Sequence, residues 1–152
     1  MAKDLKLMVD NIALNIRTGV IMRYNDEVVI EISTVGRNSV IPGGRIQINE
    51  SSKNALKREM QEEMNLSIDV EKLKQVKVFE NFFDYDGIPV HEIFFVYEYN
   101  LTKDEVDVIN NLKNLDNATT YFKMLKHHEL EKYNLLPLAL CDIIRGTDEE
   151  KI

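Results

Sequence analysis

Apolar and polar residues alternate along the first part of the chain, with the period of two that is typical of a half-buried β-strand. The alternation runs from Ile12 to Ile16 and resumes at Val20 after Thr18-Gly19. We interpret Thr18-Gly19 as a bend or bulge that breaks the strand. A polar turn then precedes a second apolar run, which predicts a hairpin. The predicted segments are strands over residues 9–23 and 28–32, joined by a turn at 24–27.

The rest of the chain predicts further strands and short helices. Residues 90–99 are the most β-prone run, rich in β-branched and aromatic residues, and are expected to form a central strand. Apolar residues recur at helical spacing in 103–112, and Gly146 suits the C-cap of a last helix. The other predicted segments are an extended run at 68–79, a turn at 86–87, a strand at 119–125, a helix at 138–145 that Pro137 precedes, and a frayed tail at 147–152.

This order of elements indicates an α+β fold in a single domain of residues 1–152. The apolar share of 44% and the charged share of 30% are ordinary for a soluble globular protein. No run of 18 apolar residues is present, and the first residues lack a signal-peptide segment, so we expect a cytoplasmic protein without membrane contact. The net charge of −7 argues against a broad nucleic-acid-binding surface. A single cysteine, Cys141, excludes an internal disulfide.

Residues 51–66 predict a helix with two different faces. Asn49 or Ser51 can cap its first turn. At about 100° per residue, Leu56, Met60 and Met64 form an apolar stripe. A second stripe beside it carries Glu59, Glu62 and Glu63. The helix is therefore expected to pack by one edge and to present carboxylates with the other.

The glutamate stripe places like charges three and four residues apart, which is unfavourable in an exposed helix. No lysine lies at the offsets that would neutralise Glu59, Glu62 and Glu63. A hard divalent cation such as Mg²⁺ or Mn²⁺ would resolve the repulsion, because it prefers oxygen ligands. For three glutamates alone, a solvated surface helix is the alternative interpretation.

The longer pattern around this helix resembles the Nudix box, G-x5-E-x7-R-E-U-x-E-E-x-G-U with U aliphatic. It begins at Gly44 and includes Glu50 and Arg58-Glu59-Met60, followed by Glu62-Glu63 and Leu66. The one departure is Asn65, where the family has glycine. This position ends the helix in a left-handed conformation, which asparagine tolerates best after glycine. On these residues the chain is similar to Nudix hydrolases, and the family implies a mixed β-sheet sandwiched between helices.

The resemblance implies a role for each matched residue. Glu59, Glu62 and Glu63 are expected to bind the metal, and the exposed carbonyl of Gly43 is a further candidate ligand. Glu59 is also a candidate base, Arg58 is expected to hold a neighbouring carboxylate, and Glu50 to reach metal-bound water. A further metal-binding carboxylate from another strand or loop is left open among Glu92, Glu98 and Asp116. The candidate substrate-binding residues are Arg37, Gly44, Phe82 and Glu92.

The implied reaction is hydrolysis of a nucleoside diphosphate linked to another group, by water attack on the diphosphate with Mg²⁺ or Mn²⁺. The implied partner is a nucleotide-type small molecule, with RNA 5′ ends and a homodimer left open. Two substrate markers of the family are absent, since Asn81 replaces a proline and Phe82 replaces a tyrosine. The alternative function is a catalytically silent Nudix-like module that binds a nucleotide and regulates a partner.

Overall fold

The alternating segments within residues 3–146 form one mixed sheet of eight strands. The computed structural model describes residues 3–146. The strands are β1 (Lys6–Val9), β2 (Ile12–Tyr24), β3 (Glu27–Ser33), β4 (Ser39–Val40), β5 (Gly43–Arg45), β6 (Lys74–Tyr85), β7 (Ile88–Asn100) and β8 (Thr120–Lys126). The α-helices are α1 (Ser52–Met64), α2 (Lys103–Ile109) and α3 (Ala139–Arg145), and short 3-10 turns lie at Val70–Lys72, His127–Glu129 and Glu131–Tyr133.

Strand β2 is the centre of the sheet. It pairs in parallel with β7 from Ala13–Val90 to Arg23–Asn100. Its first part pairs antiparallel with β1 and β5, and its last two residues begin the predicted hairpin with β3. The strand order is β4-β3-β2-β7-β6, and β8 pairs with β3. Residues of β2 and β7 at the same level therefore lie side by side on the same face.

Helices cover both faces of this sheet, because the continuous apolar run Val20-Ile21-Met22 of β2 presents side chains to each face in turn. Val20 and Met22 pack with α1 and α2 on one face, in a core that also contains Tyr97 and Phe122. Ile21 points to the other face and packs with α3. The expected α+β fold, with a mixed sheet between helices, is confirmed.

Strand β2 is continuous, so the predicted break at Thr18-Gly19 is wrong. Glycine is required at position 19 for packing rather than for a bend. A Cβ atom there would lie 2.7 Å from Cδ1 of Ile41 and 2.8 Å from the ring of Phe94. The sequence pattern singled out this glycine but not the reason for it, because the side chains that exclude a Cβ atom there come from distant parts of the chain.

Smaller differences concern the ends of elements. The predicted extended run at 68–79 begins with a 3-10 turn, because the side chain of Asp69 caps it, and β6 starts at Lys74. Helix α3 ends at Gly146 in a left-handed conformation, as predicted. The predicted tail at 147–152 lies outside the described residues. Within residues 3–146, no helix is long and apolar enough to cross a membrane.

Candidate active site

Helix α1 is fixed at both ends by side chains of the predicted types. The hydroxyl of Ser51 accepts a hydrogen bond from the backbone N–H of Asn54, so Ser51 rather than Asn49 is the N-cap. Asn65 ends the helix with φ 53° and ψ 36°, the left-handed conformation that the Nudix box assigns to glycine. Leu56 and Met60 are fully buried in the core. This packing turns the glutamates toward β5 and the edge of the sheet.

Arg58 organises the acidic face of α1. Its guanidinium binds both oxygens of Glu50, with Nε–Oε2 at 2.8 Å and Nη2–Oε1 at 3.0 Å. Nη1 donates to Glu59 at 2.9 Å and makes a longer contact with Glu62 at 3.4 Å. The hydrogen bond from Arg58 lowers the pKa of the Glu50 carboxyl. Arg58 therefore holds three of the carboxylates of the box in one arrangement.

Glu63 lies deeper, beside an acidic residue of β3 that the sequence analysis did not select. Glu63 is 5% exposed and Glu31 is 9% exposed. Nδ2 of Asn114 donates to Glu63 at 2.8 Å and to Glu31 at 3.0 Å, and the hydroxyl of Thr120 donates to Glu31 at 2.7 Å. Two carboxylates from distant parts of the chain are thus brought together by one amide group.

Burial and crowding make the charged forms of the carboxyl groups of Glu59 and Glu63 unfavourable. Burial, followed by repulsion from Glu31 and the interaction with Glu59, raises the pKa of Glu63 to about 9. Burial also raises the pKa of Glu59, against the opposing effect of Arg58. Crowded carboxylates of this kind favour binding of either protons or a cation.

A glycine turn brings the backbone against this cluster. A Cβ atom on Gly44 would lie 2.5 Å from the carboxyl carbon and Oε1 of Glu59. A Cβ atom on Gly43 would collide with the carbonyl oxygen of Thr18 in the neighbouring strand. Both glycines are therefore needed for close approach, and Gly44 brings the main chain against Glu59.

The oxygen-only donor set fits a hard divalent cation, since carboxylates and backbone carbonyls are the ligands that Mg²⁺ and Mn²⁺ accept. Among the described residues, no three histidine, cysteine or acidic side chains are already arranged as a metal cage. Arg58 instead pairs with Glu59 and Glu62.

Beside the glutamates lies a cleft of about 620 Å³, a volume suited to a small-molecule ligand. Glu63, Glu31, Gly43 and Gly44 line one part of it. The other lining residues come mainly from β1, β2, β6, β7 and the segment before β8, and include Asn15, Arg17, Phe83, Tyr85, Glu92 and Asp116. Glu92, a predicted substrate-binding residue, is thus placed in the cleft, and so is Asp116.

Three other predicted residues lie outside this cleft. Arg37 is in the exposed loop before β4, and its carbonyl accepts a hydrogen bond from Asn134. Phe82 points to the opposite face of β6, where it is 67% exposed and contacts His91. Glu98 pairs with Arg23 at 2.9 Å. Side chains alternate along β6, so Phe83 and Tyr85 reach the cleft where Phe82 was expected.

A sequence model of the NUDIX domain matches residues 14–140 of the chain. The chain belongs to the Nudix family. The matched region begins in β2, ends in α3 and includes the whole Nudix box of this domain. Among curated proteins, no sequence matches the chain.

Solved structures share this Nudix fold at low sequence identity. A MutT protein from Bacillus halodurans has a TM-score of 0.66 at 17% identity, over 86% of this chain and 80% of that one. A MutT protein from Methanosarcina mazei Go1 has a TM-score of 0.60 at 16% identity, over 95% and 99%. A C. elegans Ap4A hydrolase has a TM-score of 0.57 at 14% identity, over 91% and 99%. At these identities the likeness shows the fold alone.

The residues that the sequence analysis missed are Glu31, Asn15 and Asn114. Glu31 had a visible signal, because it is the one charged residue inside the apolar run 28–32. Asn15 carries no such signal, because it stands at a polar position of the predicted alternation, and only the structure shows that this face is buried. Asn114 carries no such signal, since a polar residue in a loop is the common case.

Proposed function

We propose that this Nudix domain hydrolyses a nucleoside diphosphate linked to another group, by attack of water on the diphosphate with the help of Mg²⁺ or Mn²⁺. The observation that best supports this proposal is that two groups of acidic side chains lie together beside one cleft. Arg58 orders Glu50, Glu59 and Glu62, while Asn114 joins Glu63 to a second buried carboxylate. In a helix that only forms part of the solvated surface, these carboxylates would be exposed to water instead of buried together.

In this proposal Glu59, Glu62 and Glu63 hold the divalent cation, together with the carbonyl of Gly43. Glu31 replaces Glu92, Glu98 and Asp116 as the favoured additional carboxylate, because it shares the Asn114 amide with Glu63. The ion, when bound, would supply positive charge against the phosphate oxygens and lower the pKa of water.

The protein's own groups orient the reaction. Arg58 fixes Glu50 and Glu59 by charge-assisted hydrogen bonds, so neither carboxylate has to be ordered when substrate binds. Glu59 is our candidate acceptor for the proton of the attacking water, and its raised pKa makes it a stronger base than an exposed glutamate. Gly44 lets the main chain approach the carboxyl group of Glu59 closely.

A substrate panel with Mg²⁺ or Mn²⁺ tests the proposal, with released phosphate and pyrophosphate as the readout. Nucleoside triphosphates, nucleotide sugars and capped RNA are included, and Ap4A is added because one structural neighbour is an Ap4A hydrolase. We expect turnover of at least one compound and its loss with excess EDTA. Turnover that EDTA leaves unchanged would contradict the metal-assisted reaction.

The second candidate is a regulatory module that binds nucleotides without hydrolysing them. The intact set of box glutamates disfavours it. Saturable nucleotide binding, with no turnover across the panel at millimolar Mg²⁺ and Mn²⁺, would favour this module over the hydrolase.

A further inference from the structure

The part of the cleft away from α1 has a polar floor made by two neighbouring strands. Asn15 of β2 and Glu92 of β7 are direct partners in the parallel register, so their side chains lie side by side on one face. Both line the cleft. Glu92 is 2% exposed and Asn15 is 5% exposed. These side chains are therefore buried in the sheet surface and directed into the cleft.

Polar groups of this floor lack hydrogen-bond partners. Among the described residues, Oδ1 of Asn15 and Nε of Arg17 are buried without a hydrogen-bond partner. The nearby guanidinium of Arg17 lies over the ring of Phe94, 5.4 Å from its centroid. Burying polar groups without partners is unfavourable, and a ligand that supplies the missing partners would remove the penalty.

Aromatic side chains stand beside this floor. Phe83 and Tyr85 of β6 line the same cleft, because the alternation along β6 directs both to the face of Asn15 and Glu92. Such rings favour stacking with another flat ring. The other part of the cleft contains Glu63, Gly43 and Gly44. A ligand with a flat polar ring at one end and phosphates at the other matches this distribution.

We propose that Glu92 and Asn15 form a base-reading subsite that selects guanine over adenine. This inference rests on the proposed function, in that it takes the ligand of the cleft to be a nucleotide. An ionised carboxylate only accepts hydrogen bonds, whereas an amide both donates and accepts. Guanine can donate N1–H to the carboxylate of Glu92 and the adjacent N2–H to the unpaired Oδ1 of Asn15. Adenine would instead turn the lone pair of N1 toward the carboxylate.

Binding of GMP, IMP and AMP in EDTA, measured by calorimetry, tests the subsite apart from hydrolysis, because these compounds contain no diphosphate. IMP keeps N1–H of guanine and lacks its amino group. We expect GMP to bind at least about tenfold more tightly than AMP, with IMP between them. Equal binding of the three, or no binding of any, would overturn the subsite without a variant being needed.

Glu92→Gln is the matched variant, because glutamine keeps the shape but replaces one acceptor by a donor. Its preference for GMP over AMP should fall by about tenfold or more, since glutamine can pair with N1 and N6 of adenine. Glu80→Gln is the control, an exposed carboxylate of β6 on the other face of the sheet, and should keep the preference. An unchanged preference in Glu92→Gln would overturn the assignment.

Turnover of GTP, ITP and ATP with Mg²⁺ then separates the two proposals. Hydrolysis without base preference would reject the subsite and leave the hydrolase in place. GMP selectivity that Glu92→Gln removes, in a protein without turnover, would support the subsite and reject the proposed hydrolysis.

Discussion

The carboxylates of Glu31 and Glu63 accept hydrogen bonds from the same nitrogen, Nδ2 of Asn114, at 3.0 Å and 2.8 Å. Glu31 lies in the middle of β3, and Glu63 lies in the last turn of α1. Repulsion between two buried acids is compensated only in part by one neutral amide. This arrangement is unfavourable for the fold alone and favourable for binding a cation.

Arg58→Lys should weaken the site and the fold together. Lysine keeps the charge but cannot bind both oxygens of Glu50 while also reaching Glu59. We expect a loss of about 1–2 kcal/mol in the free energy of unfolding, measured by urea denaturation, and at least about a tenfold loss of turnover. Lys57→Ala, at the exposed neighbouring position, should change neither quantity appreciably. Wild-type turnover in Arg58→Lys would show that the forked contact is dispensable.

Gly44→Ala should reduce mainly turnover, whereas Gly87→Ala should reduce mainly stability. The added methyl group at position 44 meets the carboxyl end of Glu59, so we expect Glu59 to lose its contact with Arg58 and turnover to fall at least about tenfold, with a stability change below about 1 kcal/mol. At position 87 the space is open but φ is 79°, so alanine should cost about 1 kcal/mol and leave turnover unchanged. Thermal melts measure the stability of both variants, and steady-state kinetics measure their turnover. Equal turnover in the two variants would contradict the predicted difference.

The left-handed conformation of Asn65 predicts an order of stability among its variants. Asn65→Gly should lie within about 0.5 kcal/mol of wild type, because glycine adopts this conformation freely. Asn65→Val should be less stable by about 1–2 kcal/mol, since a β-branched residue resists positive φ. Equal melting temperatures of the glycine and valine variants would contradict the observed cap.

Much of this helix could be predicted from the sequence, because its signals are local. The cap at Ser51, the end at Asn65 and the apolar stripe at Leu56 depend on residues within a few turns of one another. The family pattern likewise places Glu59, Glu62 and Glu63 on one face through helical spacing alone. Local spacing and the residues at the helix ends were therefore sufficient to predict helix α1, which carries the Nudix box.

The remaining parts of the site depend on contacts between distant segments. Glu31 joins Glu63 only because β3 pairs with β8 and the preceding loop delivers Asn114. Asn15 meets Glu92 only through the parallel register of β2 with β7. Phe83 rather than Phe82 lines the cleft, because strand alternation reverses the face at each residue. No spacing along the chain encodes these three relationships.

Stability below neutral pH should depend on His127. Burial and the nearby Arg23 and Arg145 guanidinium groups lower its pKa in the folded state. The unfolded chain therefore takes up a proton near pH 6.5 that the folded protein takes up only at lower pH, so stability falls as the pH falls through this range. His127→Gln should reduce that fall in pH-dependent thermal melts, whereas His128→Gln, at an exposed position, should not. The same pH dependence in both variants would contradict the assignment to His127.

Magnesium-dependent turnover of Glu63→Gln tests most directly whether the buried carboxylate cluster serves a metal-assisted hydrolysis. The substitution keeps the shape of the side chain and removes its repulsion with Glu31, so the metal-free protein should melt at the wild-type temperature or slightly higher. Added Mg²⁺ should raise the melting temperature of wild type more than that of the variant. Turnover should fall by orders of magnitude, while Glu71→Gln, an exposed acid in the 3-10 turn after α1, should retain it. Near wild-type turnover in a folded Glu63→Gln protein, with an unchanged magnesium-induced shift, would contradict the assignment of this cluster to catalysis.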